Sequence, residues 1–127
     1  MNQPRTDLSE TLTAMAGTVP GIRHALQVSQ DGLLMASTDA MPRDLADTLS
    51  AAVTGLGHLA AGVARALQGA STQHISIDYH DAQLLIVTAG DGSLLAALGT
   101  GEAEMGDIGK QLAMLADRLT PAGALSA

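Results

Sequence analysis

Pro42-Arg43-Asp44-Leu45-Ala46-Asp47-Thr48-Leu49-Ser50-Ala51-Ala52-Val53-Thr54-Gly55-Leu56-Gly57-His58-Leu59-Ala60-Ala61-Gly62-Val63-Ala64-Arg65-Ala66-Leu67-Gln68-Gly69 is the most informative stretch of the chain. Leu45, Leu49, Val53, Leu56, then Leu59 or Ala60, Val63 and Leu67 recur at helical spacing and form one apolar stripe. Pro42 stands near the helix start, where proline is favoured. The helix runs to Gly69, about 26 residues or roughly 39 Å. A strand of about six residues spans only ~20 Å. The helix should therefore project beyond the sheet that covers its apolar face. A second stripe of small residues passes through Ala51 or Ala52, Gly55, Gly62, Ala66 and Gly69. Gly55, Gly57 and Gly62 lie inside the helix, where each costs roughly 1 kcal/mol against alanine. Close packing against a helix of another chain would offset that cost. Close packing onto its own sheet, or simple weakness of the helix, is the alternative.

Towards the N-terminus, residues 1–6 read as a polar tail. Asp7 and Glu10 resemble a capping box, with Asp in place of Ser or Thr. Leu8, Leu12 and Met15 share one helical face, and Gly17 and Pro20 end the helix, placed at about 7–16. Ile22, His24, Leu26 and Val28 alternate with Arg23, Ala25, Gln27 and Ser29, as in a half-buried strand. Asp31-Gly32 is a hairpin signal, and Leu33 to Ser37 returns as a second strand.

Towards the C-terminus, Ile75, Ile77 and Tyr79 alternate with His74, Ser76 and Asp78, as in a strand with one buried face. Leu84-Leu85-Ile86-Val87 is continuously apolar, as a central strand should be. Gly90-Asp91-Gly92 marks a tight turn into Leu94-Leu95-Ala96-Ala97-Leu98. Met105, Ile108, Leu112, Leu115 and Leu119 define a third helix, closed by Pro121 and Gly123. The order is helix, hairpin, long helix, three-strand meander, helix. It predicts one α+β (mixed α/β) domain over residues 7–120, with a mostly antiparallel five-stranded sheet and a C-terminal tail at 121–127.

The core must be made of small aliphatic residues. The 127-residue chain has 23 alanines, one Tyr and neither Phe nor Trp. Tyr79 alone could stack on a base or sugar. Cysteine is absent, which excludes disulfides, thiolate metal sites and cysteine catalysis. The net charge of −7 argues against nonspecific binding to nucleic acid or anionic membranes. No signal peptide or membrane-spanning run is read, so a cytoplasmic protein is expected. Five arginines to one lysine, with abundant alanine, point weakly to a GC-rich bacterial genome.

Catalytic and metal motifs are weak. His74 and Asp78 on one strand stand about 13 Å apart, too far for one ion. No HxxxH or HExxH spacing occurs. Ser93 lies in a turn sequence and no GxSxG elbow is present. Gly99-Thr100-Gly101 leads into Glu102 and Glu104, whose charges suit a helix N-terminus but repel phosphate. Gly106 and Gly109 are read as permitting close helix packing. No catalytic residue, metal ligand or cofactor is assigned. Asp44 and Asp47 suit the first turn of the long helix, or an acidic rim for a partner.

The third strand carries neither Pro nor Lys and lies at one end of its meander, so it is an unblocked edge. One isologous dimer, with strands paired and long helices packed, explains both this edge and the helix glycines.

Val28-Ser29-Gln30-Asp31-Gly32-Leu33-Leu34-Met35-Ala36-Ser37, Gly90-Asp91-Gly92-Ser93-Leu94-Leu95-Ala96-Ala97-Leu98 and the helix from Met105 to Leu119, set in this element order, resemble the Roadblock (dynein light-chain) family. The nearer branch is that of bacterial MglB-like small-GTPase regulators. The resemblance covers roughly residues 7–119, and its signature is diffuse. It implies strand order 2-1-5-4-3, with the long helix on one face and the terminal helices on the other. It also implies a homodimer joined through third strands and long helices. The corresponding residues here are Gly55, Leu59, Gly62, Ala66, His74, Ile75, Ser76, Ile77 and Asp78. The expected role is a noncatalytic regulator or scaffold of a Ras-like GTPase, beside a sensor kinase-like protein. Asp44, Asp47, Ala51, Thr54, His58 and Arg65 are the candidate contacts. Should the chain accelerate GTP hydrolysis, Arg43 or Arg65 could serve as an arginine finger. Reorientation of the GTPase's own residues is the other route. A small-ligand sensory module is the rival class, which a large buried pocket would favour.

Overall fold

The computed structural model describes residues 4–101 and 103–119, with residues 4–7 followed along the backbone only. The elements are α1 (Pro4–Thr18), β1 (Ile22–Val28), β2 (Leu34–Ser37), α2 (Arg43–Ala66), β3 (Ile75–Asp78), β4 (Ala82–Thr88), β5 (Leu94–Thr100) and α3 (Met105–Arg118). The five strands lie in the order β2-β1-β5-β4-β3. All neighbouring pairs are antiparallel.

The sheet separates two apolar cores. Leu85 and Val87 of β4 join Leu95 and Ala97 of β5 beneath α1 and α3, with Leu12, Ile108, Leu112 and Leu115. Leu84 and Ile86 point the other way and pack with Ala96, Leu49 and Val53 beneath α2. The run Leu84–Val87 is continuously apolar because its side chains alternate between two covered faces. Full burial of a leucine or isoleucine contributes about 1.5–3 kcal/mol, so each face has its own anchor.

Three expectations need correction. Helix α1 begins at Pro4 and continues to Thr18, rather than spanning about 7–16. Proline is well tolerated in a first turn. Gly17 lies inside the last turn without a positive φ, so it is not a capping glycine. Asp7 thus lies within the helix rather than at its start; its side chain, like Glu102, Pro121 and Gly123, lies outside the described residues, as do 1–3 and the tail at 121–127. Strand β1 is not half-buried, since Ala25 and Gln27 are buried along with Leu26 and Val28. It is an interior strand, covered on both faces. The Gln27 side chain is satisfied by donating to the Ser93 hydroxyl at 2.9 Å. Tyr79 falls just past β3, where its ring is exposed and its amide donates to Ala82 across the turn into β4.

Both hairpin turns use the same local chemistry. Gly32 donates to the Ser29 carbonyl while Ser29 pairs with Leu33, and Gly92 donates to Ala89 while Ala89 pairs with Ser93. Gly32 (φ +90°) and Gly92 (φ +89°) occupy the left-handed position that ends such three-residue loops.

Candidate functional site

Helix α2 is packed tightly on the sheet only in its first half. Its buried residues, Ala46, Leu49, Ser50 and Val53, all lie in the first half. Leu59, Val63 and Leu67 in the second half are 71 %, 60 % and 65 % exposed. Gly55 and Gly62 have no packing reason inside the chain. A Cβ at Gly55 would meet nothing within 4 Å, and one at Gly62 would meet only the Arg65 guanidinium. Gly57 differs, because a Cβ there would stand 2.7 Å from Leu94 Cδ1. One of the three interior glycines is thus explained by the sheet, and two are not.

Strand β3 ends the sheet and has β4 on one side only. The Tyr79 amide pairs with the Ala82 carbonyl at 2.8 Å. Antiparallel ladders alternate, so Ile77 and Ile75 also turn their amides to β4, while those of Ser76 and Asp78 face the open edge. Ile75 and Ile77 are half-buried on the α2 side. His74, Ser76 and Asp78 are exposed and line a groove of about 580 Å³ together with Gly106, Gly109 and Lys110 of α3. Gly109 packs closely on the sheet, its Cβ position 3.6 Å from Leu85, whereas Gly106 meets open space. The sequence reading missed this groove; its signal is the pair of glycines three residues apart on α3.

The residues considered for dimer contact divide between α2 and β3, and on β3 Ile75 and Ile77 turn towards α2 while His74, Ser76 and Asp78 turn towards α3. Gly55, Leu59 and Ala66 are exposed on α2, Gly62 is half-buried there, and the edge residues of β3 follow. The other candidates divide. Asp44, Asp47, Ala51 and Arg65 are exposed along α2, as is Arg43 at its start. Thr54 is half-buried, and His58, although exposed, reaches the β1–β2 turn. Thr54 Oγ1 donates to the Ser50 carbonyl at 2.8 Å and lies against the turn at Gly32. His58 Nε2 lies 3.2 Å from the Gln30 carbonyl, so it donates there in the Nε2–H tautomer. Both residues anchor α2 to the β1–β2 turn.

The residues weighed for chemistry have structural roles. The Ser93 hydroxyl donates to Asp91 Oδ1 at 2.6 Å and accepts from Gln27. Gly99 allows close approach of Ala103 and Ile108, and Thr100 donates its amide to Gly21. Glu104 precedes α3 without a side-chain capping bond. Among the described residues no three His, Asp or Glu side chains converge as metal ligands, and no helix is long and apolar enough to cross a membrane. His24 on β1 is half-buried with Nδ1 lacking a partner; burial, reinforced by the Arg23 charge, lowers its pKa.

Comparison with known proteins follows this geometry. A Roadblock/LC7 domain from Streptomyces avermitilis has 27 % sequence identity and a TM-score of 0.81, over 90 % of this chain and 95 % of that one. An MglB in a tetrameric arrangement has 22 % identity and a TM-score of 0.83, over 97 % and 92 % of the two chains. Myxococcus xanthus MglB has 14 % identity and a TM-score of 0.81, over 92 % and 94 %. The two MglB likenesses concern the fold. No curated protein matches the chain. The Roadblock/LC7 domain pattern matches residues 8–99, most of the chain and all of the sheet but its last residue. The chain belongs to the Roadblock/LC7 domain family.

Proposed function

We propose that this chain is a noncatalytic, homodimeric regulator or scaffold of a Ras-like small GTPase in the bacterial cytoplasm. Membership of the Roadblock/LC7 family and the fold shared with MglB support this reading. The observation that carries it is the junction of an open β3 edge with the exposed apolar second half of α2. Leu59, Val63 and Leu67 are exposed beside a strand whose outward amides are unused. Burying such side chains contributes about 1.5–3 kcal/mol each. Pairing of β3 with its symmetry mate would also satisfy the edge. Gly55 and Gly62 would let the two α2 helices approach closely.

The exposed stripe Asp44, Asp47, Ala51 and Arg65 is the surface offered to the GTPase. The test is affinity purification of tagged protein from its native cell, with GDP or a nonhydrolysable GTP analogue added. A Ras-like GTPase recovered in one nucleotide state is the expected result and indicates the direction of regulation. Recovery of none in either state, with the dimer intact, would overturn the GTPase assignment. Arg43→Ala with Arg65→Ala separates the two routes to hydrolysis. Unchanged single-turnover hydrolysis would remove the arginine-finger route.

A further inference from the structure

The second half of α2 roofs a cavity. The helix touches β5 at Gly57, and beyond it α2 and the sheet form a half-open cavity of about 550 Å³ lined in part by Ala61, Ala64, Ile75, Ile86 and Leu94. One end is closed by a relay of two hydrogen bonds. His58 donates to the Gln30 carbonyl at 3.2 Å, and Gln30 Nε2 donates to the Gly92 carbonyl at 3.2 Å. Together they tie α2 to both hairpin turns. The opposite wall is the link from α2 to β3, where Ser71 and Thr72 supply hydroxyls.

The charge of this cavity is opposite to that of the chain. The protein has 13 acidic residues and a net charge of −7. No carboxylate lines the cavity, and its one arginine or lysine is Arg65. Arg65 makes no ion pair with a described carboxylate. Its Nη2 lies 3.7 Å from the Cβ position of Gly62, so the missing side chain leaves room for the guanidinium against the helix. Leu59, Val63 and Leu67 are not among the lining residues, and Ile75 of β3 is the one wall residue that also belongs to the proposed protomer contact.

We propose that this cavity binds a small organic acid with an apolar body. Its carboxylate pairs with Arg65, and its body rests on Ile75, Ile86 and Leu94. A guanidinium accepts a carboxylate in fork geometry, and a concave apolar wall with a few polar groups is the usual form of a small-ligand site. At about 30 Å³ for each water-sized group, the space holds roughly 18 such groups. Occupancy would brace this half of α2 from beneath and would engage Arg65, leaving Asp44, Asp47 and Ala51 free on the outer face. The inference goes beyond GTPase regulation and does not rest on it.

The test uses the full-length protein and sodium octanoate, followed by methyl resonances of Ile75, Ile86 and Leu94. Saturable shifts confined to this cluster are expected, with Kd below about 1 mM. Octylammonium, of equal length and opposite charge, should bind at least about tenfold more weakly, and Arg65→Met should lose about tenfold in octanoate affinity. Ala61→Leu fills the cavity and should abolish the shifts without changing the mass of the assembly. No saturation by about 5 mM octanoate, equal binding of octylammonium, or undiminished binding by Arg65→Met would overturn the proposal. None of these arms uses a GTPase, so failure here and failure of the regulator reading are separately visible.

Discussion

The Ser37 amide donates a hydrogen bond to the Ser9 hydroxyl at 3.3 Å, and this contact makes the two edges of the sheet unequal. The Asp39 amide likewise donates to Thr13 Oγ1 at 3.2 Å. Helix α1 thereby covers the β2 edge with side chains one helical turn apart. At β3, no described side chain hydrogen-bonds the outward amides of Ser76 or Asp78. Open strand edges invite pairing, so β3 is the edge available to the proposed assembly.

Ser9→Ala should lower unfolding stability by about 1 kcal/mol, because it removes one hydrogen bond of a half-buried pair. The urea midpoint measures this. Assembly through β3 should be unaffected, as α1 lies at the other edge of the sheet.

The glycines should respond in opposite directions. In monomeric protein, Gly55→Ala should stabilise by about 0.5–1 kcal/mol, since its side chain meets nothing and helix propensity improves. The same substitution should weaken the dimer. Gly90→Ala should destabilise by about 2 kcal/mol, because the Leu119 carbonyl occupies the place of its Cβ. Thermal melts over a range of protein concentrations separate the two effects.

The fold was legible where chemistry is local. Gly32 and Gly92 mark turns because left-handed backbone favours glycine, and Leu84 to Val87 reads as a doubly covered strand. The burial of Gln27 was not legible, since it depends on Ser93, 66 positions away. The cover on β2 was hidden for the same reason: Ser9 and Thr13 look like an ordinary solvated helix face. At the candidate site, the glycines of α2 announced unmet packing. The contact of Thr54 and His58 with the β1–β2 turn depends on where that turn meets α2, which spacing alone does not encode. The cavity was equally hidden, because Ala61 and Ala64 read as alanine bias.

Ser93→Ala should cost about 1–3 kcal/mol by leaving the Gln27 amide buried without its partner. Gln27→Leu with Ser93→Ala should recover part of that loss, since removing both polar partners avoids an unsatisfied donor. Chemical denaturation of the two single variants and the double variant measures the coupling.

Acid should weaken the protein through His24. Its folded-state pKa is lowered, chiefly by burial and then by Arg23. The unfolded chain therefore takes up this proton more readily. The His24 contribution is fully present above about pH 6.5 and is lost as pH falls through the lower folded-state value. His24→Gln should flatten the dependence of the melting temperature on pH as the pH falls below about 6.5. An unchanged slope would remove His24 as its source.

The most direct test of the central claim is the solution mass of wild-type protein and Ser76→Pro, measured by light scattering at micromolar concentration. The proline removes an amide that faces the open edge, while leaving those of Ile75 and Ile77 to pair with β4. The account predicts two chains of 12.8 kDa for wild type and one for a Ser76→Pro variant with native circular dichroism. A monomeric wild type, or a folded Ser76→Pro that remains dimeric, would contradict assembly through the β3 edge.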